Sequence, residues 1–346
     1  MKKKTSLPLI FWIIYLGSIF AICIVNVLIF SFTKTSNVSF PSNKCVCQTE
    51  CNGVSKIKYN SIDEITFISC PRPLTPDRYN SLKVTYSSWL ASSPKTSIIL
   101  FTNRTEFDPT GKFPDELDKL FGKDRVKYAG SIRHDLTGVP YIDDWFRQGI
   151  KHSSSKYVCF INSDIPISGN WLHRVKQVYA VMEDKPVVLI GQRIDFDLED
   201  SKFEKLRFDQ KHLLKDIDKM VEESNHSPHS PFGVDSFTFR IDNIPFNYEK
   251  ILPFIMGRYN WDNWIVGWLN TFTDTVTFNL NPPIYHINHV RHDFNPEDSK
   301  VAVNHHFKKG NKDYFGSNYD TKWEIVDNFL VKRSSNYSIE LPQNVD

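Results

Sequence analysis

The chain has 346 residues, 24% of them charged, with a formal net charge of +2. Because the charge is close to balanced and no basic stripe interleaves with aromatic residues, nucleic acid is excluded as an expected partner. The length after the amino-terminal segments is sufficient for one large α/β domain or two small ones, each with a substantial core.

The amino terminus is predicted to carry a membrane anchor. Three lysines at positions 2 to 4 precede an uncharged stretch over residues 9–32, which is long enough to cross a bilayer as a helix. This stretch is longer than the apolar core of a cleavable signal peptide and has no clear Ala-x-Ala exit, so we expect it to remain uncleaved. The lysines place residues 1–8 in the cytosol and everything after Phe32 in the lumen, as in a single-pass type II protein.

Residues 33–60 are rich in Ser, Asn and Lys and are interpreted as a lumenal stem. Four Asn-x-Ser/Thr glycosylation acceptors follow the anchor, in agreement with lumenal placement. These acceptors are Asn37, Asn103, Asn225 and Asn336.

The cysteines also fit an oxidising compartment. Cys45, Cys47, Cys51 and Cys70 cluster near the anchor, where two disulfides are favoured over a zinc site because a second pair at zinc-finger spacing is lacking. Cys159 lies in an apolar run and is interpreted as a buried, unreactive thiol.

From Ile62 onward, short apolar runs alternate with amphipathic stretches, which predicts βαβ units and a mainly parallel sheet flanked by helices. The predicted strands cover residues 65–70, 97–101, 126–129, 157–161, 187–190, 233–239 and, with a Pro-Pro interruption, 276–290. The predicted helices cover residues 82–90, a short segment after Pro114, 141–150, 171–182, the charged and exposed segment 195–227, and 261–269. Residues 61–310 are therefore assigned to the main domain and the polar residues 311–346 to a carboxyl-terminal tail.

The apolar run 157–161 ends abruptly in Asn162-Ser163-Asp164, which places a carboxylate at the carboxyl end of a predicted central strand. Open α/β sheets bind ligands at this edge. The alternative is that Asp164 only caps a helix.

Three histidines, His286, His289 and His292, lie in one short segment. A divalent ion at the sheet edge needs oxygen donors that imidazole can complete, and Mn²⁺ accepts both ligand types. Asp164 with one or two of these histidines is therefore a predicted metal site. On an extended chain His286 and His289 would point to opposite faces, so exposed or capping histidines remain the alternative.

A second candidate site surrounds Asp262, which lies between Trp261 and Trp264 at the start of a predicted helix. Indole rings on both sides of a carboxylate suit stacking on a sugar while the carboxylate accepts a hydroxyl proton. Helix capping by Asp262 and a core position for the two tryptophans are the alternatives.

Two further charged residues lie at strand ends. Asp235 precedes an apolar run, and a buried carboxylate there must meet a partner or face a ligand. Arg193 follows another strand and could pair with Asp235 or with a phosphate.

The order of several short motifs resembles that of the GT-A-fold nucleotide-diphospho-sugar transferases, from about Ile62 to His292. The motifs are Thr137-Gly138-Val139-Pro140, Tyr157–Ile165, Ile190-Gly191-Gln192-Arg193, Gly233–Phe237, Pro253–Arg258 with Trp261–Trp264, and His286-Ile287-Asn288-His289.

This resemblance implies roles for individual residues. The loop after the first strand, with Ser69, Cys70, Pro71 and Arg72, would hold the nucleotide. The family's Asp-x-Asp element would fall on Asn162-Ser163-Asp164, where a neutral amide replaces the first acid and makes metal dependence less secure. The metal histidine would be His289 or His286, and Asp262 would be the base that acts on the acceptor hydroxyl in inverting members.

The sequence thus predicts a GT-A-like, Rossmann-type catalytic domain after a single transmembrane helix. Its function would be the metal-assisted transfer of a sugar from a nucleotide donor to a glycan, glycoprotein or glycolipid hydroxyl, with inversion if Asp262 is the base. The expected location is the Golgi membrane or the endoplasmic reticulum. One alternative is a lumenal sulfotransferase, although residues 70–75 lack the glycine of a phosphosulfate loop. The other is a non-catalytic membrane ectodomain of this fold that binds glycan or protein.

Overall fold

The fold is given by a computed structural model that describes residues 65–182, 185–289, 299–310 and 314–345. The predicted cytosolic tail, membrane anchor and stem lie outside these residues, as do Asn37, His292 and the cysteines before position 70. Among the described residues, no helix combines the length and apolar character that a membrane crossing requires.

The strands and helices alternate along most of the described chain. The strands are β1 (Ile65–Ser69), β2 (Ser97–Leu100), β3 (Val126–Tyr128), β4 (Tyr157–Ile161), β5 (Val187–Ile190), β6 (Arg193–Phe196), β7 (His226–Pro228), β8 (Ser236–Arg240), β9 (Asp274–Thr277), β10 (Ile284–Ile287), β11 (Trp323–Val326), β12 (Phe329–Lys332) and β13 (Ser338–Glu340). The helices are α1 (Tyr79–Ala91), α2 (Arg104–Phe107), α3 (Lys112–Phe121), α4 (Ile142–His152), α5 (Trp171–Val181), α6 (Asp200–Phe203), α7 (Leu213–Glu222), α8 (Trp261–Leu269) and α9 (Ser299–Gly310), with 3-10 turns at Pro76–Arg78 and Tyr248–Lys250.

Ten strands form the main sheet, in the order β13-β12-β11-β9-β5-β8-β4-β1-β2-β3, and β10-β6-β7 form a second, small sheet. Strands β3, β2, β1 and β4 are parallel neighbours, and so are β5, β9 and β11. Strand β8 runs antiparallel to both β4 and β5. The predicted mixed α/β architecture with a mainly parallel sheet is therefore present and is compatible with a GT-A-like fold.

Helices cover both faces of the main sheet. In β4, Cys159 and Ile161 belong to one buried apolar cluster, which includes Trp89 of α1, whereas Val158 and Phe160 belong to the other. This alternation follows from the two-residue period of a strand that is buried on both sides. Cys159 is a fully buried free thiol, as predicted.

One sequence prediction about secondary structure was wrong. The charged segment 195–227 is not one exposed helix, because it begins in β6 and ends in β7 and the helix α7 within it buries Leu213, Ile217 and Met220. The predicted interruption of the strand-like segment 276–290 at Pro282-Pro283 is present, and the strands β9 and β10 on either side of it belong to different sheets.

The predicted carboxyl-terminal tail contains three strands that continue the main sheet beyond β9. Trp323 and Leu330 are buried there, at 2% and 0% exposure. Residues 323–340 are therefore not a polar extension, although the boundary at residue 310 stays a prediction. Short strands with one buried face carry few apolar residues each, which explains why composition alone indicated a tail.

Candidate functional site

The candidate site lies where several strand ends meet at one edge of the main sheet. Asp164 follows the carboxyl end of β4, and Arg193 follows that of β5. Because β8 is antiparallel to both strands, its first residue lies at this same edge, where Ser236 pairs with Ile161. Asp235, which precedes β8, is therefore brought beside them, and its backbone carbonyl accepts a hydrogen bond from the Asn162 N–H at 3.1 Å.

Asp164, His286 and His289 form a group of three potential metal ligands, with donor atoms all within 4.8 Å of one another. The Nε2 atoms of His289 and His286 lie 3.3 Å and 3.9 Å from Asp164 Oδ2. An ion held at about 2.0–2.2 Å from each ligand separates its donors by roughly 3–4 Å, so this spacing fits a divalent ion. Both histidines reach Asp164 because β10 ends at Ile287, so the strand alternation that would separate them does not extend to His289.

The second ring nitrogen of His286 faces Asp195. Strands β6 and β10 pair in parallel with His286 opposite Asp195, and His286 Nδ1 lies 3.1 Å from Asp195 Oδ1. This is an ion-pair distance, but the buried ring nitrogen is not aligned for a hydrogen bond. Histidine ligands commonly direct their other nitrogen to a carboxylate in this way, which fixes the ring orientation.

Asp195 is itself held from two sides. His229 Nδ1 lies 2.6 Å from Asp195 Oδ2, and Arg193 Nε donates a hydrogen bond to Asp195 Oδ1 at 2.9 Å. Burial opposes ionisation of Asp195, but the contacts with His286, His229 and Arg193 outweigh it and lower the pKa of this carboxyl well below its usual value. Asp195 therefore remains an anion between the imidazoles.

The same balance applies to Asp164, whose side chain is 29% exposed. Its desolvation raises the pKa, whereas the hydrogen bond with His289 and the charges of His286 and Arg193 lower it, to about 2 overall. A carboxylate that stays ionised at neutral pH is what a metal ligand requires.

Arg193 joins this group to Asp235. It is 7% exposed, and its Nη1 donates to both Asp235 carboxylate oxygens at 2.7 Å. Asn162 Nδ2 donates to Asp235 Oδ1 at 2.9 Å. Of the two roles predicted for Arg193, the pairing with Asp235 is therefore present. Donor binding by Arg193 and acceptor binding by Asp235 stay predictions.

Asp262 lies at the beginning of α8, as the sequence predicted, and near Asp235. Its carboxylate is desolvated, accepts backbone N–H bonds from Asn263 and Val234, and feels the negative charge of Asp235. Burial and the like charge outweigh the hydrogen bonds and raise the pKa of Asp262 to about 7. A carboxyl that titrates near neutral pH is suited to accept a proton.

The predicted stacking role of Trp261 and Trp264 is wrong. The two residues are 5% and 3% exposed. The Trp261 ring packs against Trp145, and Trp264 stacks on Trp268 at a centroid distance of 5.6 Å. Their apolar surface was needed by the core, since α8 covers one face of the sheet, so neither indole face is open to a sugar.

The loop after β1 lies at the same edge. Cys70 is a half-buried thiol whose pKa is raised by burial and by Asp144. The other cysteines of the predicted disulfide cluster lie outside the described residues, so its disulfides stay a prediction. Arg72 is exposed. Buried hydroxyls of Ser69 and Tyr86 have no hydrogen-bond partner within the described ranges. Arg78, Asp164 and Cys70 all lie within electrostatic reach of the Tyr86 hydroxyl.

The glycosylation acceptors Asn103, Asn225 and Asn336 are all exposed. Asn225 Nδ2 donates a hydrogen bond to Asp197 at 3.0 Å. Their exposure is compatible with glycosylation. Glycosylation at these three positions stays a prediction.

Sequence reasoning missed Asp195, His229 and Arg78. A signal for Asp195 was present, because Arg193-Ile194-Asp195-Phe196 alternates polar and apolar residues with the period of a strand. His229 gave no comparable signal, since it lies in a Ser- and Pro-rich turn and reaches Asp195 only through the fold.

Comparison with known proteins adds little. No family model and no curated protein matches this chain. Two crystal structures of S. aureus TarS residues 1–349, one in complex with UDP-GlcNAc, align at 15% identity with a TM-score of 0.28. The alignments cover 38% of this chain and 36% and 35% of the TarS chains, and a likeness of this size carries no argument about function.

Proposed function

We propose that this protein is a glycosyltransferase that moves a sugar from a nucleoside-diphosphate donor to an acceptor hydroxyl. The observation that carries the proposal is the combination of two groups at one sheet edge. Asp164, His286 and His289 offer a ligand set for a divalent ion, and the separate acid Asp262 has a pKa of about 7. These are the groups that a displacement at an anomeric carbon needs, since it creates a diphosphate leaving group and consumes a hydroxyl proton.

The nucleotide is proposed to bind between β1 and β4. The chain runs from β1 to β2 and β3 on one side and then returns to β4 on the other, so β1 and β4 flank a topological switch point. Ligands of open α/β sheets bind at the carboxyl ends of the strands at such a point. The hydroxyls of Ser69 and Tyr86, which have no hydrogen-bond partner in the described part of the chain, lie there, with Arg78 as a cation for the diphosphate.

The three ligand side chains are proposed to hold Mn²⁺, which accepts both carboxylate and imidazole donors. When bound, such an ion neutralises negative charge that develops on the departing diphosphate. Asp195 orients His286, and Arg193 and His229 in turn hold Asp195. Asn162 is turned toward Asp235, which leaves Asp164 as the acid of this motif that binds the ion.

Asp262 is proposed to take the proton of the acceptor hydroxyl as this oxygen attacks the anomeric carbon on the face opposite the leaving group. The proton ends on the carboxylate, the glycosidic bond to the diphosphate breaks, and the configuration at the anomeric carbon is inverted. A base with a pKa near the working pH combines sufficient basicity with a large ionised fraction.

The surroundings of the enzyme are part of the same proposal. Residues 9–32 would anchor the chain in a Golgi or endoplasmic reticulum membrane, with the described residues in the lumen and glycans on the acceptor asparagines. The uncharged stretch and the lysines before it support this placement.

The test is a donor screen on the full-length protein with UDP- and GDP-sugars and Mn²⁺. We expect one donor to raise the melting temperature and to release nucleoside diphosphate. Asp164→Asn should abolish both effects, whereas Asp262→Asn should keep the thermal shift and lose transfer. If no donor shifts the melting temperature or releases nucleoside diphosphate, the proposal fails in favour of a non-catalytic ectodomain.

A further inference from the structure

Two exposed phenylalanines form a pair beside Asp262. Phe232 precedes β8 and Phe315 precedes β11, yet their ring centroids lie 5.7 Å apart with an interplanar angle of 41°. The two residues are 50% and 51% exposed. Large apolar side chains that remain exposed as a contiguous pair indicate a binding surface more often than single exposed residues do.

Two side-chain amides hold the two loops together. Asn263 Nδ2 donates hydrogen bonds to the backbone carbonyls of Phe232 and Gly316, both at 2.9 Å. Asn318, which is fully buried, donates from its side chain to the carbonyls of Pro231 at 3.1 Å and Gly233 at 3.2 Å. The pair is therefore fixed by four hydrogen bonds to its own backbone and its neighbours, which lowers the entropy lost when a ligand binds.

The second loop also needs close backbone contact with α8. A Cβ at Gly267 would overlap the backbone of Phe315, and a Cβ at Gly316 would overlap the backbone of Gly267. The two glycines thus allow the Phe315 loop to lie directly on the helix that begins with Asp262. Lys308 places its ammonium 5.2 Å from the centroid of the Phe315 ring.

The loops that carry Phe232 and Phe315 both lie close to Asp262, the proposed base. Val234, whose N–H binds the Asp262 carboxylate, is two residues from Phe232, a separation of about 7 Å at most along the chain. Asn263, the residue after Asp262, contacts both loops. Both loops are therefore held on the first turn of α8, which carries Asp262.

We propose that Phe232 and Phe315 form an acceptor platform that binds a glycan by stacking pyranose rings on the two phenyl faces. The identification of this glycan as the acceptor rests on the proposed transferase function. Apolar sugar C–H faces match aromatic rings, while the sugar hydroxyls remain free to reach the carboxylate. This role replaces the one that the sequence assigned to Trp261 and Trp264, whose rings are buried.

The test measures binding of fluorescent full-length protein to an array of immobilised oligosaccharides. We expect binding to at least one glycan class, with affinity reduced roughly two- to tenfold by Phe232→Ala or Phe315→Ala, since one aromatic contact contributes about 0.5–1.5 kcal/mol. Phe315→Trp should retain binding, whereas Phe315→Leu, which is apolar but has no aromatic face, should weaken binding about as much as Phe315→Ala does. Phe329→Ala is the matched control, because Phe329 is 43% exposed on β12.

Three results would overturn the platform: wild-type protein that binds no oligosaccharide, undiminished binding by both alanine variants, or full binding by Phe315→Leu. The last result would indicate a lipid or protein partner instead. Binding that depends on the two rings without any release of nucleoside diphosphate would sustain the platform and defeat the transferase, so the two failures are distinguishable.

Discussion

Two acids at the same sheet edge have opposite environments. Asp164 lies among two imidazoles and within reach of Arg193, which lower its pKa to about 2. Asp262 is desolvated by burial and lies near a second acid, Asp235, and these two effects raise its pKa to about 7. The fold thus separates a permanently ionised ligand from a carboxyl that can exchange a proton, which is how two carboxylates in one site take different roles.

The largest expected effect is on the rate of sugar transfer when Asp262 is replaced. Asp262→Asn should lower the transfer rate by roughly 10²–10⁴, because it removes a general base while it preserves shape. In the wild type, kcat/KM should fall about tenfold per pH unit below a pKa of about 7, since protonated Asp262 cannot accept the hydroxyl proton. Steady-state assays between pH 5 and 8.5 measure both effects. A transfer rate that is unchanged in the variant would remove Asp262 from the reaction.

The next effect concerns Arg193, which pairs with both Asp195 and Asp235. Arg193→Met should destabilise the protein by about 3–5 kcal/mol, because Asp235 and Asp195 would be left without their shared cation. Arg207→Met is the control, since its pair with Asp216 is exposed and should contribute less than about 1 kcal/mol. Urea unfolding at neutral pH gives both values. Equal losses in the two variants would show that burial does not distinguish the pairs.

The raised pKa of Asp262 should also make the stability of the protein depend on pH. The pKa of Asp262 is raised in the folded state above its ordinary value of 3.8, so its contribution to stability is fully present below pH 4 and is lost as the pH rises through about 7. Asp262→Asn avoids this loss. It should therefore be about as stable as the wild type at pH 4 and more stable at pH 8, by on the order of 4 kcal/mol. A difference in unfolding free energy that does not change with pH would contradict the raised pKa.

The smallest expected effect is on the affinity for Mn²⁺ when Asp195, which lies beside the ligand His286, is replaced. Asp195→Asn should weaken Mn²⁺ binding by roughly 10–100-fold, because His286 would lose the carboxylate that fixes its ring. Calorimetric titration of full-length protein with Mn²⁺ measures the change. Asp242→Asn is the control and should bind as the wild type does, since Asp242 pairs with Arg240 beyond the end of β8 that lies opposite Asp235. If Asp195→Asn also binds normally, Asp195 has no role in orienting His286.

Much of the fold could be predicted because buried strands and amphipathic helices leave periodic patterns. The bounds of β4, β5 and α8 agree with the sequence predictions, and Asp164 lies at a strand end as expected. The approach of His286 to Asp195 could not be predicted, since it depends on the register between β6 and β10, which are far apart in the chain.

The aromatic residues show a different limit. The sequence places Trp261 and Trp264 beside Asp262, but it does not reveal which side of α8 faces the core. Phe232 and Phe315 come from separate loops, and only the fold brings them together. Local sequence therefore indicated that aromatic rings lie near the acid, whereas long-range packing decided which rings are exposed.

The proposed reaction depends most on the ion site of Asp164, His286 and His289, and pulsed EPR of Mn²⁺ bound to the full-length protein tests this site most directly. We expect one ion per chain with nitrogen couplings from two imidazoles, reduced to one imidazole in His289→Ala. In His212→Ala, where the histidine lies beside Asp209 outside the group, both couplings should remain. Bound Mn²⁺ without imidazole coupling, or no binding at all, would contradict the proposed ion site.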